Sequence, residues 1–301
     1  MIRKTIVSAL LLLCAFTPAV HSQTPEEHMA ALRKVEDSLT YQQGTIQIRG
    51  DLATLEVPPE FRYLDPASTA TLLTEIWGNP PSDQQTLGML VPAATRPTDE
   101  ASWGVIITYE EDGYVKDDEA AKLDYNELLQ TMQESTREGS KERVEQGYPA
   151  IELVGWAAEP RYDAATHKMY WAKELKFEGG EGNTLNYNIR ILGRRGVLVL
   201  NAVAGMNQLT EIEQQTPKIL SMVNFQEGHR YADFNPATDK VAAYGLAAMV
   251  TGGVLAKGGF FKVLLASLLA MKKGAIVLVV GAVAVLKGLY GKLVGSRSSR
   301  D

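Results

Sequence analysis

Cysteine is almost missing from this chain. Its one example, Cys14, lies in the apolar run that opens the sequence. If residues 1–22 are removed as a leader, the remaining chain has no disulfide, no thiolate nucleophile and no cysteine metal site. Histidine is scarce too. His28, His167 and His229 fall after residue 22, far apart and with no carboxylate at metal-ligand spacing, so they read as structural or solvated rather than as a zinc site or part of a serine triad. There is no Gly-x-Ser-x-Gly elbow, no phosphate-binding loop ending in Lys-Ser/Thr and no dinucleotide fingerprint. No nucleotide or other cofactor is therefore called for, nor any metal. No long Pro, Gly or Ser linker interrupts residues 23–240, which read as one domain.

What the sequence has in quantity is apolar residues at its two ends. The first 22 residues carry Arg3 and Lys4, an apolar core over 6–16, and small residues at Val20 and Ser22 ahead of Gln23. That is the three-part layout of a cleaved secretory signal. Its core is too short to cross about 30 Å of hydrocarbon at 1.5 Å per residue. At the other end, residues 241–294 are apolar, punctuated by Gly and Lys, and are followed by a basic polar tail at 295–301. The run from 241 to 256 meets Lys257, and the run from 274 to 286 lies between Lys273 and Lys287. Each is shorter than the roughly 20 residues of an ordinary span, so the reading is a membrane anchor of one or two short helices whose flanking lysines snorkel.

Charge divides the chain the same way. Residues 23–240 hold 20 basic and 35 acidic residues, a net of −15. Such a body repels phosphate backbones, which excludes nucleic acid as a partner. The basic tail suits anionic headgroups of inner-membrane lipids. The expected location is the bacterial inner membrane, with the main domain periplasmic.

Within the body, residues 25–41 read as a helix, from Met29, Leu32, Val35 and Leu39 at helical spacing. Residues 45–48 and 52–57 alternate around Arg49-Gly50-Asp51 and read as a hairpin. Asp65-Pro66 starts a helix that Gly78-Asn79-Pro80-Pro81 ends. Residues 103–109 read as a buried strand and 124–138 as a helix opened by Asp124 and Glu127. Four strand-like runs follow, at 151–158, 168–177, 184–192 and 197–204, with turn signals between them, as in an antiparallel meander. A helix over 209–223, bent at Pro217, covers one face. The fold class is α+β: an antiparallel β-sheet with packed helices, followed by C-terminal membrane helices.

Three clusters are candidate sites. Trp156 and Trp171 lie equally far from the centre of the turn between Tyr162 and Ala165, so a symmetric hairpin sets them opposite each other. Such an aromatic pair stabilises a sheet by roughly 0.2–1 kcal/mol. The alternative is a groove in which Trp156, Tyr162, Tyr170 and Trp171 face a sugar, peptide or lipid. The acids Glu110, Glu111, Asp112, Asp117, Asp118 and Glu119 read as a solvated loop, with a divalent cation site as the alternative. Arg194 and Arg195, between Gly193 and Gly196, read as an exposed basic tip, with an anion contact as the alternative.

Several short motifs in order carry a family resemblance: Trp77-Gly78-Asn79-Pro80-Pro81, Leu87-Gly88-Met89-Leu90, Asp112-Gly113-Tyr114-Val115-Lys116-Asp117-Asp118, Gly155-Trp156 with residues 160–163, Leu185-Asn186-Tyr187 through Gly193-Arg194, and Gly228 with Arg230-Tyr231. From about Gly44 into the tail, the chain resembles the uncharacterised bacterial membrane-anchored family called domain of unknown function 2167. The resemblance implies a secreted body on a C-terminal anchor and brings no catalytic residue or ligand. A fainter similarity is to the photosystem extrinsic-subunit type of sheet with covering helices. The functional expectation is an interaction or binding protein of the envelope with a possible envelope protein partner, its contact surface at Trp77, Asn79, Trp156, Tyr162, Tyr170 and Trp171. The alternative is a membrane-tethered, carboxylate-dependent hydrolase using acids from 110–119.

Overall fold

The computed structural model describes residues 24–79, 85–99, 101–145, 147–180 and 182–251. In chain order the first elements are α1 (Pro25–Glu36), β1 (Tyr41–Gln42), β2 (Gly44–Ile48), β3 (Ala53–Val57), β4 (Phe61–Leu64) and α2 (Pro66–Thr71), which runs on as a π-helical turn at Leu72–Ile76. Next come β5 (Gly88–Pro92), β6 (Gly104–Glu110), α3 (Tyr125–Glu145), β7 (Ile151–Asp163), β8 (Lys168–Phe177), β9 (Thr184–Leu192) and β10 (Val197–Gly205). The last are α4 (Leu209–Met222), β11 (Val223–Phe225) and α5 (Leu246–Thr251).

Eight strands form one antiparallel sheet in the order β1-β4-β5-β6-β10-β9-β8-β7, and β11-β3-β2 form a second. The meander from β7 to β10 is the one the sequence predicts, and β10 closes it onto β6. Every residue of β9 and β10 is buried, because these strands lie at the centre of the large sheet with both faces covered. On one face, Leu185, Tyr187, Ile189, Leu198 and Leu200 pack against the small sheet and against Ile212 and Ile219 of α4. On the other, Leu128 and Met132 of α3 cover the β7–β10 half. Leu72, Leu73 and Ile76 cover the β4–β6 half.

Local chemistry sets most of the boundaries. The Glu27 N–H donates to the Thr24 hydroxyl and the Thr24 N–H to the Glu27 carboxylate, a capping box that starts α1. That helix stops at Glu36, short of the predicted Tyr41, because Tyr41 and Gln42 are taken up as an edge strand opposite Leu64 and Tyr63. Asp65 and Asp124 accept backbone N–H groups of the first turns of α2 and α3. Helix α3 runs past the predicted Glu138, since Thr136, Gly139 and Arg143 continue the buried stripe of Leu128 and Met132 with residues an apolar pattern does not register.

The start of the stretch read as an anchor lies on this body. Val241 forms a parallel bridge with Tyr114, and Leu246, Met249 and Val250 of α5 are buried in the same cluster as Leu128. Apolarity that suggested hydrocarbon is used there to cover the sheet. The leader, and the rest of the expected membrane helices at 252–294, lie outside the described residues. Among the described residues no helix is long and apolar enough to cross a membrane.

Candidate functional site

Four connections meet at one end of the large sheet, where β6, β7 and β9 finish and β8 and β10 begin. They are the loop after β6, the β7–β8 turn, the β9–β10 turn and the segment between β11 and α5. Backbone bonds tie them together. The Gly113 N–H donates to the Arg195 carbonyl at 3.1 Å and the Arg194 N–H to the His229 carbonyl at 2.9 Å. Gly193 bridges Arg230, and Tyr114 bridges Val241.

Three polar side chains converge there. The Tyr162 hydroxyl donates to Asp117 Oδ2 at 2.5 Å. His167 Nδ1 lies 3.3 Å from the same oxygen and 3.2 Å from the Tyr162 hydroxyl. His167 sits at φ 51°, a left-handed position uncommon for a residue with a side chain. Its carbonyl accepts the Leu192 N–H at 3.0 Å, which pins the turn to β9. A proton on Nδ1 directed at Asp117 leaves Nε2 as an acceptor, the tautomer a histidine base requires.

A column of rings backs this trio. His167 lies over Tyr231 with centroids 4.1 Å apart, Tyr231 over Tyr114 at 4.4 Å, and Tyr114 over Phe234 at 3.9 Å. The Tyr231 hydroxyl donates to the Val115 carbonyl at 3.0 Å. Burial pushes the Asp117 carboxyl up, but the hydrogen bonds it accepts, that from Tyr162 foremost, outweigh burial and hold the group below the usual carboxylate range. Burial, then the bond to Asp117, hold the Tyr162 phenol protonated far above its ordinary value. The site therefore presents an ionised carboxylate, a permanent phenol donor and an imidazole. The side chains of His167 and Asp117 are 31% and 27% exposed, open enough to meet a partner.

The neighbouring charges fasten the loops. Arg194 Nε donates to Asp239 Oδ2 at 2.6 Å and its Nη2 to Oδ1 at 3.0 Å, so this half of the predicted basic tip is a bidentate ion pair whose anion is the protein's own, while Arg195 is exposed as predicted. The acid-rich loop is not simply solvated. Asp112 accepts the Tyr244 hydroxyl, Glu119 accepts the Ala247 N–H, and Glu111 pairs with Arg49. Among the described residues no group of three or more His, Cys, Asp or Glu side chains is placed to hold a metal ion.

The six residues expected to form a contact surface are dispersed. Tyr162 alone belongs to the trio. Trp77 is 5% exposed and donates through Nε1 to the Pro97 carbonyl at 3.0 Å. Asn79 is buried beside it, its N–H donating to the Leu73 carbonyl. Trp171 is 1% exposed, inside the core. Tyr170, its neighbour on a pleated strand, points to the opposite face, toward the small sheet. Trp156 is half-buried and donates to the Tyr125 carbonyl at 3.2 Å. It lies opposite Lys173, not Trp171, because β7 carries register shifts between Leu153 and Arg161 and the turn falls later than symmetry predicts.

Sequence reasoning set His167 aside as structural or solvated, named Asp117 only as one acid of the 110–119 cluster, and gave Tyr114 and Tyr231 no role. The acid nearest His167 in sequence, Asp163, is engaged by the turn through Ala165 and Thr166, and the carboxylate that meets the ring is 50 residues away. A signal existed nonetheless. The motifs 112–118, 160–163 and Arg230-Tyr231, which carry the family resemblance, supply Tyr114, Asp117, Tyr162 and Tyr231.

Fold and site together define an α+β domain with a carboxylate, phenol and imidazole cluster at one end of its large sheet. The chain belongs to the family described as Protein of unknown function (DUF2167), whose model matches residues 40–284. No curated protein matches it. Among solved structures, the chain is similar to cyanobacterial PsbP (CyanoP) from Synechocystis sp. PCC 6803, at 12% identity and a TM-score of 0.34, over 62% of this chain and 92% of that one. It is similar to the Saccharomyces cerevisiae Ran-binding protein Mog1p at 12% identity and a TM-score of 0.32, over 66% and 100%. A third is LpqN of Mycobacterium tuberculosis, described as involved in cell envelope biogenesis, at 14% identity and a TM-score of 0.31, over 64% and 95%. At these scores the likenesses carry no argument about function.

Proposed function

We propose that the protein is a membrane-anchored, periplasm-facing binding protein of the bacterial envelope whose contact surface is the cluster at the end of the large sheet. One observation carries this reading: side chains from three separate connections meet at a strained histidine, with Asp117, Tyr162 and His167 part-exposed and Tyr231 buried beneath them. Strain and convergence of this kind cost stability and are found where a surface has a task. The leader, the apolar stretch after 241 and the acidic body support the envelope setting. Photo-crosslinking probes in cells at exposed Thr166 and Arg230, with a control at Glu178 beyond the other end of β8, test it. A shared adduct from the first two that the control lacks sustains the reading, and none from either overturns it.

The Asp117–His167 contact favours a second reading, a tethered hydrolase in which His167 Nε2 acts as base and Asp117 orients the ring. An Asp117→Asn variant keeps the shape and removes the charge. Unchanged function of that variant in cells sinks the hydrolase.

A further inference from the structure

A polar stripe crosses the middle of the large sheet on the face covered by α3 and α5. Register places its members row by row. Thr108, Val199 and Arg190 stand side by side on β6, β10 and β9. The next row holds Asn201, Asn188 and Trp171, and the one after it Asn186 and Lys173. All the polar members are buried. The asparagines satisfy one another: Asn186 Nδ2 donates to Asn201 Oδ1 at 2.8 Å, and Asn188 Nδ2 to Asn186 Oδ1 at 2.9 Å.

Arg190 does not fit that pattern. It is 4% exposed, and its one hydrogen bond among the described residues is a long 3.4 Å contact to the Ile189 carbonyl. Among the described residues its Nε finds no acceptor, and neither do Trp171 Nε1 nor Thr108 Oγ1. The Arg190 guanidinium lies 5.2 Å from the centre of the Trp171 ring, which brings two of these donors into one place. Glu110 attracts Arg190 through space without a hydrogen bond. Buried donors are almost always satisfied, and a buried guanidinium most of all. Two such donors, Arg190 Nε and Trp171 Nε1, in a buried guanidinium set against an indole, are the chemistry that recognises an anion. Apolar groups interleave with them, Val199 and Val203 on the sheet and Met249 and Val250 on α5 above it. That lining suits a hydrocarbon chain.

We propose that this stripe binds the headgroup of an anionic amphiphile, a carboxylate or phosphate carried on an apolar chain, with Arg190 and Trp171 as its donors. Met249 and Val250 of the six-residue α5 pack in the same cluster as Trp171 and Val199. This proposal is independent of the cluster at the sheet end.

The test uses the full chain in nonionic detergent, titrated with decanoate, decyl phosphate and neutral decanol. The readouts are the indole N–H resonance of Trp171, assigned through Trp171→Phe, and the thermal midpoint. A saturable shift of that resonance with an anionic probe and not with decanol is the expected result, the better of the two anions naming the headgroup. Arg190→Gln is expected to weaken it by about tenfold or more, the loss of a charge-assisted bond. An equal response to decanol, or no response to any probe, overturns the proposal. If Arg190→Gln does not fold, the thermal midpoint of the native chain with anion against decanol decides alone.

Discussion

The Glu119 carboxylate accepts the backbone N–H of Ala247 at 2.9 Å. A side chain distant in sequence thus caps the first turn of α5, and a Cβ on Gly245 would collide with that same carboxylate. Glu119→Ala is expected to destabilise α5 by about 1 kcal/mol, the usual cost of a lost cap. Amide exchange at 246–251 reads this directly, and unchanged protection there would refute the role.

Asp117 gives the protein an acid-side dependence. Its carboxyl lies below the usual range in the folded state, so the stabilisation is complete above the unfolded value near 4 and is lost as pH falls through the folded value. Asp117→Asn should flatten the stability profile below pH ~4. Denaturant unfolding at a series of acidic pH values measures the slope in both proteins.

Lys173 acts with the same sign at the alkaline end. Burial, helped by the nearby Arg190 charge, lowers its amine from 10.5 to about 7. The unfolded chain then binds the proton more tightly, so this residue makes stability rise as pH climbs from about 7 to 10.5. Lys173→Met should remove that rise, which urea midpoints across the interval would show.

Gly113 sits at φ 111°, and a Cβ there would come 2.7 Å from the Lys240 carbonyl. Gly113→Ala combines backbone strain with a clash at the Tyr114–Val241 bridge and is expected to cost more than ~1 kcal/mol. Equilibrium unfolding checks the magnitude.

Trp77 is a core residue by position, so Trp77→Ala should cost about 3–5 kcal/mol through the cavity it leaves. Calorimetry of the variant separates this from a surface role, which would leave the midpoint near that of the native chain.

Much of the fold was legible because its signals are local. Strands β8 and β9 begin and end where alternation and turn residues put them, and α2 starts at the expected Asp65-Pro66. What escaped was decided at a distance. Strands β4 and β5 are short and their pairing partners lie far along the chain, so no repeating pattern announces them. Composition marked the tryptophans as candidates, yet Trp77 and Trp171 are large apolar bodies, and the core took them. The trio of Asp117, Tyr162 and His167 could not be read from spacing, since only the closing of the sheet end brings its three segments together.

The register shifts in β7 also govern how copies of the protein meet. Among the described residues this strand of 13 residues is one of the two outer strands of the large sheet, and a flat border of that length would template the addition of another chain. Its irregular stretch between Leu153 and Arg161, with Pro160 withholding a backbone N–H, breaks the regular row of donors and acceptors that a foreign strand would need. The irregularity that parts Trp156 from Trp171 thus also protects the protein against edge-to-edge aggregation.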